Sequence, residues 1–482
     1  MKIKEIKIEN FKSIKDLYIA FPKSGILSLV GPNNAGKSNI LIAINNILGE
    51  QWFKTDRATL GDYYNRNKEN IIKIQIFFDN DWSICFDSSG DGWPVYKDEN
   101  DNKISNFSPK EDSSGNVKED FPCTYLPANR SIEKSLQFKS WELMGKIAKS
   151  FNDKAKPKEK ELKNKFEEII KIFDEVKEFK DFKNDFIAYF DEMQSGTPYK
   201  LKVDFKAFSP LNYFRSLNIL ASDLSISDDY DIDIEELGDG NKNLILFALV
   251  RSYAKNFKKD ASGILAIEEP EIYLHPQARR HLNSVFNEIV KSSNIQIIFT
   301  THSSSFINTD KFYQIGSVKK TKDEGTKVKA VSIKELVDFC KKTNVPSKKV
   351  NESSICHFYA STSNYRLNEA FFAKYLILAE GDTEEMAIPV YLKASNLDCD
   401  SEGISVIAVE GKNQIPKYWR LFYKFGIPML VIFDNDNSKD EAKSNLNLAR
   451  CFNLDINDII ASSKVYRMIE SKNDGIFSQP II

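Results

Sequence analysis

The sequence predicts an α/β protein made of two parallel-sheet units in succession, the first interrupted by a helical insertion. Three features carry that prediction. A glycine-rich loop, Gly31-Pro32-Asn33-Asn34-Ala35-Gly36-Lys37-Ser38, stands between an apolar strand at Ile26 to Val30 and an apolar helix running through Leu48. A second apolar strand, Gly263 to Ile267, ends in the carboxylates Glu268 and Glu269. Two late apolar runs, Tyr375 to Ala379 and Met429 to Phe433, are each followed by an acidic cluster. That pattern sets carboxylates at the C-terminal ends of buried parallel strands, where an α/β sheet holds its ligands.

Taken in order, Ile3, Ile6, Ile8, Phe11, Ile14, Leu17 and Ile19 alternate with polar residues and read as short strands. Ile71 to Phe78 reads as another strand, and the Asp-, Gly- and Ser-rich stretch from Asp87 to Ser114 as loops or a hairpin. From about Ser131 the period changes. Leu162, Phe166, Ile169, Phe173, Val176, Phe179, Phe182 and Phe186 recur at intervals of three or four, the mark of amphipathic helices. Such helices either pack on their own neighbours or form an arm for a second copy, and without a sustained leucine heptad both readings stay open. Strands and helices alternate again from about Pro198 to Ile315, and a lysine-rich stretch with a turn at Asp323-Glu324-Gly325 then marks a connection. The expected divisions are 1–130 and 201–320 for the two parts of the first unit, 131–200 for the insertion, 321–370 for a linker and 371–482 for the second unit.

Composition narrows the function classes. With 482 residues, 41% hydrophobic and 28% charged, the chain can bury more than one core. A net charge of -2 argues against coating nucleic acid nonspecifically, so any contact with a phosphate backbone must be local. Lys319, Lys320, Lys322, Lys327 and Lys329 form one candidate patch, though a solvated lysine-rich loop reads the same way. Cys85, Cys123, Cys340, Cys356, Cys399 and Cys451 contain no CxxC pair, which points away from a disulfide framework or a zinc site and toward a reducing cytoplasm. The N-terminus lacks an uncharged apolar core, and no later run approaches membrane-spanning length, so no membrane partner is expected.

The glycine-rich loop fits GxxxxGK[ST] in its required strand-to-helix setting. Its backbone N–H groups face phosphate oxygens, with Gly31, Asn33, Asn34, Gly36, Lys37, Ser38 and Asn39 as the expected contacts. Lys37 neutralises the β and γ charges and Ser38 completes a magnesium shell. Glu268 belongs on the magnesium side and Glu269 on the attacking water. A further strand, Ile295 to Phe299, leads into Thr300-Thr301-His302-Ser303, where His302 is placed to sense the γ-phosphate.

Together with this loop, Ile8-Glu9-Asn10-Phe11-Lys12-Ser13-Ile14, Ile267-Glu268-Glu269-Pro270-Glu271 with Leu274-His275-Pro276, and Thr301-His302-Ser303 resemble the ABC-type ATPase head shared by RecF, SMC and OLD-family proteins. The resemblance covers most of residues 1–316 and implies ATP as the nucleotide. In such heads a signature segment closes on the nucleotide of another subunit. Leu237-Gly238-Asp239-Gly240-Asn241-Lys242-Asn243 is similar to it, which adds Gly238 and Gly240 to the nucleotide contacts. Asp239 stands where the family commonly has a serine, and a carboxylate there repels phosphate, so slow hydrolysis or nucleotide sensing is expected. Tyr125-Leu126-Pro127-Ala128-Asn129-Arg130 also resembles a recurrent family segment, with Arg130 either near the nucleotide or an ordinary pairing arginine.

The second unit offers Glu380-Gly381-Asp382-Thr383-Glu384, then Val409-Glu410-Gly411-Lys412-Asn413, then Asp434-Asn435-Asp436, each where a strand meets a loop. Oxygen ligands from separate strand ends suit one or two hard cations, magnesium or manganese. Glu380, Asp434 and Asp436 are the principal candidate ligands, Glu384 a second-site ligand and Asp382 a weaker candidate. Lys412 or Lys439 either stabilises a scissile phosphate or is simply solvated. The three motifs, in this order, resemble a Toprim domain, and an ABC-type head followed by Toprim is the arrangement of the OLD family, including the Gabija nuclease and retron-associated nucleases. That resemblance implies an ATP-regulated, metal-dependent DNA endonuclease in defence against phage. It also implies a homodimer or homotetramer, with a helicase or a reverse transcriptase and noncoding RNA as possible partners. Few residues follow Asp436, and Glu470 or Lys472 is expected to supply a missing group. The alternatives are a noncatalytic ATP-gated DNA clamp or sensor, and a strand-passage or primase enzyme, for which no tyrosine-bearing DNA-gate module is evident.

Overall fold

Regular alternation of buried and exposed side chains builds the first strands, β1 (Ile3–Phe11) and β2 (Ile14–Ala20), which pair antiparallel with Ile6 opposite Ile19 and Ile8 opposite Leu17. The structure is a computed structural model that describes residues 1–49, 53–90, 92–104, 121–128, 143–193, 214–215, 219–222, 231–233, 236–257, 262–272, 274–343, 345–346, 349–362, 365–433, 444, 448, 451–452, 467–472 and 475–480. Unbroken apolar runs give strands buried on both faces: β3 (Ile26–Val30) has every residue buried. A meander follows helix α1 (Lys37–Leu48): β4 (Lys73–Phe78), β5 (Ser83–Asp87), β6 (Val95–Lys97) and β7 (Lys103–Ile104). The stretch expected to hold loops or a hairpin therefore does contain a short hairpin, β6 against β7.

The remaining strands of this unit are β8 (Cys123–Leu126), a separate small pair β9 (Leu220–Ser222) and β10 (Asp231–Asp233), then β11 (Ser262–Glu268), β12 (Asn294–Thr301), β13 (Ile315–Thr321) and β14 (Gly325–Ala330). Twelve strands form one sheet in the order β7-β6-β5-β4-β1-β2-β14-β13-β3-β12-β11-β8. Strands β8, β11, β12, β3 and β13 run parallel, so the loops after β3, β11 and β12 open on the same edge. Alternate residues of β11 feed opposite layers. Ile264 and Ala266 join the core that α1 covers with Ile40, Leu41 and Ile44, while Leu265 and Ile267 join the core on the other face.

That other face is covered by α2 (Leu143–Ala155), α5 (Asp239–Phe257) and α6 (Pro276–Ser292), through Met144, Phe247 and Phe286 among others. Between them lie α3 (Glu159–Asp174) and α4 (Lys177–Met193), the helices the apolar period foretold. Ile169, Ile172, Phe182 and Phe186 are exposed on them, and Val176 is exposed in the turn between. Residues 131–142 and 194–200 of the expected insertion lie outside the described residues. The first helix of that region, α2, belongs to the core of the sheet unit.

The expected linker 321–370 is folded. Gly325–Ala330 is a strand of the large sheet, and α7 (Ile333–Lys342), α8 (Glu352–Thr362) and α9 (Tyr365–Glu369) follow it. On α7 Lys334, Lys341 and Lys342 are exposed while Leu336, Val337 and Cys340 are buried, so composition masked a helical apolar period. Ser332 caps α7 by accepting from the Glu335 N–H, and Glu335 returns the bond to the Ser332 N–H at 2.8 Å.

The second unit is a five-stranded sheet. β15 (Tyr375–Ala379), β16 (Ile404–Ala408) and β17 (Met429–Phe433) are parallel, and β18 (Arg467–Lys472) and β19 (Gly475–Pro480) extend it antiparallel, in the order β16-β15-β17-β18-β19. Helices α10 (Asp382–Ala394), α11 (Cys399–Glu402) and α12 (Ile415–Lys424) join the parallel strands. One buried cluster crosses from unit to unit: Val30, Ile307, Phe312 and Ile315 pack with Leu336, Tyr359, Leu376, Trp419 and Val431. Among the described residues no helix is long and apolar enough to cross a membrane, and all six cysteines are free thiols.

Candidate functional site

The phosphate loop is held from below. Gly36 has φ 97°, and a Cβ there would stand 2.1 Å from the Thr326 hydroxyl oxygen and 2.6 Å from that of Ser13, so glycine is required both by backbone and by space. Thr326 is fully buried and donates to the Ala35 carbonyl at 2.9 Å, with Ser13 Oγ 2.7 Å from its Oγ1. The Asn39 amide donates to Ser13 Oγ at 2.7 Å and so braces the loop. Asn33 and Asn34 are exposed at the loop's tip, Asn34 with φ 61°. Ser38 is exposed in the first turn of α1 and free to meet a ligand from solvent.

Lys37, at the N-terminal end of α1, is buried and donates to the carbonyls of Gly31 at 2.8 Å and Pro32 at 2.9 Å, arching back over the loop where phosphate oxygens would replace those carbonyls. Burial pushes its ammonium down to about 8, against the opposing pull of Glu269, Glu268 and Glu271. Phosphate favours the charged form, so binding takes up a proton wherever free Lys37 is partly neutral. Nucleotide affinity should be flat at neutral pH and fall as pH rises past about 8, by at most about tenfold per pH unit. Calorimetric titration with a nonhydrolysable ATP analogue in buffers of different ionisation enthalpy measures both the fall and the proton uptake.

Glu268 ends β11 and Glu269 leaves it, with the neighbouring strand β12 supplying His302 one residue past its end. Glu268 is buried and its Oε2 accepts from the Ala128 N–H at 3.0 Å, tying the Tyr125–Ala128 segment to the site. Arg130 lies outside the described residues. Glu269 has φ 45°, a left-handed backbone rare for such a side chain, fixed by its N–H donating to the Thr300 carbonyl at 3.0 Å. Its Oε1 stands 3.8 Å from His302 Nε2. Burial, aided by the Lys37 ammonium, holds the His302 imidazole below its usual value, with Glu269 opposing, so His302 is neutral at pH 7 and the contact is not an ion pair. Glu271, which no motif singled out for a role, organises the histidine turn: Oε1 accepts from Thr301 Oγ1 at 2.5 Å and from the His302 N–H at 3.1 Å. Desolvation raises its carboxyl.

Gly238 and Gly240 open α5, with Gly238 facing open space. Among the described residues neither is hydrogen-bonded to the phosphate loop. Within one chain the loop lysine, the carboxylate pair and the histidine lie close enough to interact, Lys37 with Glu268 and Glu269 and Glu269 with His302.

In the second unit Glu380 follows β15 and its carbonyl accepts from the Gly411 N–H at 2.8 Å, which joins the first acidic motif to the second. The second motif turns sharply there, with Glu410 at φ 60° and Gly411 at φ 122°. Lys412, for which the sequence left a phosphate-stabilising and a solvated reading open, is buried at 3% exposure. Glu384 is turned back to cap α10, its Oε2 accepting from the Gly381 N–H at 3.0 Å, which leaves one carboxylate oxygen outside the cap. Asp382 pairs with Arg366 at 3.5 Å, and Glu385, which the sequence did not single out, pairs with the same guanidinium at 3.1 Å. Among the described residues no three carboxylate, imidazole or thiol side chains come together as a metal site; Glu380 and Glu384 each supply carboxylate oxygen, the ligand type of a hard divalent cation and not the nitrogen and sulfur of a zinc site. Asp434, Asp436 and Lys439 lie outside the described residues, as do the side chains of Glu470 and Lys472, whose backbone forms strand β18.

Two domain families match this chain in sequence. The model of the AAA ATPase domain family matches residues 1–121 and 95–307, and that of the Overcoming lysogenization defect protein-like TOPRIM domain matches residues 371–436. The chain belongs to the AAA ATPase domain family and carries an OLD-like TOPRIM domain. It is 25% identical over 461 residues to an OLD nuclease of Thermus scotoductus, covering 90% of this chain and 82% of that protein. It is 24% identical over 496 residues to the Old nuclease of Escherichia phage P2, covering 90% and 77%. To the Endonuclease GajA of Bacillus cereus it is 27% identical over 260 residues, covering 50% of this chain and 36% of that one. The two domains imply use of a nucleotide and of a divalent metal.

The lysines proposed as one phosphate-contacting patch divide once the ATPase and TOPRIM domains are seen together. Lys319 is partly buried and donates to the Gly426 carbonyl of the TOPRIM domain at 2.5 Å, and Lys327 lies 3.8 Å from Asp16. Lys320, Lys322 and Lys329 are exposed. Lys319 thus fastens the two domains together, while three lysines of the stretch face solvent.

Proposed function

We propose that this chain is an ATP-regulated, divalent-metal-dependent DNA endonuclease of the OLD type, acting in the cytoplasm in defence against phage. The observation that carries the reading is the placement of Glu380 at the C-terminal end of a parallel strand, locked to the Glu410–Lys412 turn, in a domain that shares one buried core with the ATPase.

The residues divide the work. Lys37 and the N-terminal turn of α1 bind the terminal phosphates of ATP, and Ser38 and Glu268 are placed to hold its magnesium. Glu269 accepts the proton of the attacking water, and neutral His302 keeps one imidazole N–H available as a donor to the γ-phosphate. Gly238 and Gly240 close on the nucleotide of a second copy, which makes a homodimer, or a homotetramer of two such pairs, the working assembly. In the TOPRIM domain Glu380, Asp434, Asp436 and the uncapped oxygen of Glu384 hold magnesium or manganese. Such a cation, when bound, stabilises charge on the scissile phosphodiester. Buried Lys412 adds positive charge behind that site, and no covalent enzyme group is needed.

The test is cleavage of supercoiled plasmid with magnesium or manganese, with and without ATP, in the wild type, Asp434→Ala and Lys37→Ala. Asp434→Ala should lose cleavage and Lys37→Ala should lose only the response to ATP. Metal-independent or Asp434-independent cutting would defeat the reading, and DNA binding without cleavage under any condition would favour a clamp, for which Asp239 in the signature segment already argues.

A further inference from the structure

A short helix joins the histidine turn of the ATPase to the first acidic turn of the TOPRIM domain. Asn368, on α9, is 2% exposed and uses its whole amide on the segment that directly follows His302. Its Oδ1 accepts from the Thr309 N–H at 3.0 Å and from Thr309 Oγ1 at 2.7 Å. Its Nδ2 donates to the carbonyls of Ile307 at 2.8 Å and Ser304 at 3.1 Å. Two residues earlier, Arg366 reaches the other way, to Glu385 Oε2 at 3.1 Å and Asp382 Oδ1 at 3.5 Å in the first turn of α10. That turn begins at Glu380 and Gly381.

Separating Asn368 from residues 304–309 would strand two buried carbonyls and an N–H, so a shift of the histidine turn is cheaper when α9 moves with it. Leu367, Ala370 and Phe371 are buried along the same stretch and keep it packed as a unit. Tyr359 donates to the Lys417 carbonyl at 2.9 Å, Tyr418 to the Thr362 carbonyl at 2.9 Å and Arg420 to Thr343 Oγ1 at 2.6 Å, which ties α7 and α8 to α12 but not to the Glu380 turn, and the contact of Lys319 with Gly426 meets the TOPRIM sheet before β17 begins. None of these contacts meets the acidic edge directly.

We propose that α9 is the lever through which nucleotide at His302 sets the position of the Glu380 turn, with Asn368 and Arg366 as positioning residues at its two ends. This rests on the nuclease reading given above and adds the route of its regulation.

The test is hydrogen exchange of the full chain with and without ATP and magnesium, followed by cleavage. In the wild type, ATP should alter exchange in residues 304–309, 365–371 and 382–394 as well as in the phosphate loop. Asn368→Ala, or Asn368→Asp should the alanine variant not fold, should keep the change in the phosphate loop and lose it beyond residue 365. Arg366 is exposed and its replacement safe for folding: Arg366→Ala should keep the change through 371, lose it at 382–394 and bring the ratio of cleavage with and without ATP toward one, with Arg366→Lys restoring it. A wild-type response confined to the ATPase domain, or variants that respond as the wild type does, would overturn the lever while leaving the nuclease intact. No protection of the phosphate loop by ATP would instead remove the nucleotide on which both proposals depend.

Discussion

Glu380→Gln is expected to reduce metal-dependent cleavage by at least about 100-fold, since losing even a group that only orients a metal ligand costs 10–100-fold. Glutamine keeps the size of the side chain and the bond from the Gly411 N–H to the residue 380 carbonyl, so the turn survives and only the charge is lost. Loss of a ligand weakens metal binding rather than folding. Raising the manganese concentration should therefore recover part of the activity, and the melting temperature should stay where it was. Plasmid nicking across a manganese series measures this, and full activity at low manganese would show that Glu380 holds no metal.

The second large effect is expected at Glu269. Glu269→Gln should slow ATP hydrolysis by ~10²–10⁴-fold, the range for removing a positioned general base, while nucleotide affinity holds. The left-handed backbone at φ 45° sets this side chain off the line of β11 and beside His302, a conformation that costs on the order of 1 kcal/mol and persists because the Thr300 carbonyl fixes its N–H. Phosphate release and nucleotide binding, measured side by side, separate the roles. If both fall together, Glu269 holds the nucleotide instead of its water. With hydrolysis slowed the ATP-bound state lasts, so the effect of ATP on cleavage, whichever its sign, should be larger in this variant than in the wild type.

The local parts of both sites were legible because each is written in one short stretch. The strand, glycine turn and helix of residues 26–48, the Glu268–Glu269 pair after β11, His302 after β12 and Glu380 after β15 all occupy the strand ends that their neighbours in sequence implied. Contacts between distant stretches were not legible. Thr326 lies under a phosphate loop almost 300 residues earlier, and nothing in Gly325-Thr326-Lys327 signals it. Asn368 sits in what composition suggested was a linker, because the lysines of residues 319–349 outweighed the buried Leu336 and Val337 between them. The bond from Asn39 to Ser13, on a neighbouring strand turn, was illegible for a related reason, since nothing near Asn39 in sequence signals it.

The buried cluster that runs from Val30 and Ile315 through Tyr359 to Leu376 and Val431 makes the two catalytic units one thermodynamic body. A chain cut at residue 371 would uncover buried residues of β15 and α12, so the nuclease half is expected to be less stable alone than in the whole chain. Any ligand that binds only the folded phosphate loop then stabilises the whole by RT ln(1 + [L]/Kd), TOPRIM strands included. ATP would thus act as a chaperone of the cutting site as well as its regulator: a cell short of nucleotide would hold a nuclease that melts more readily and is the sooner cleared by proteases.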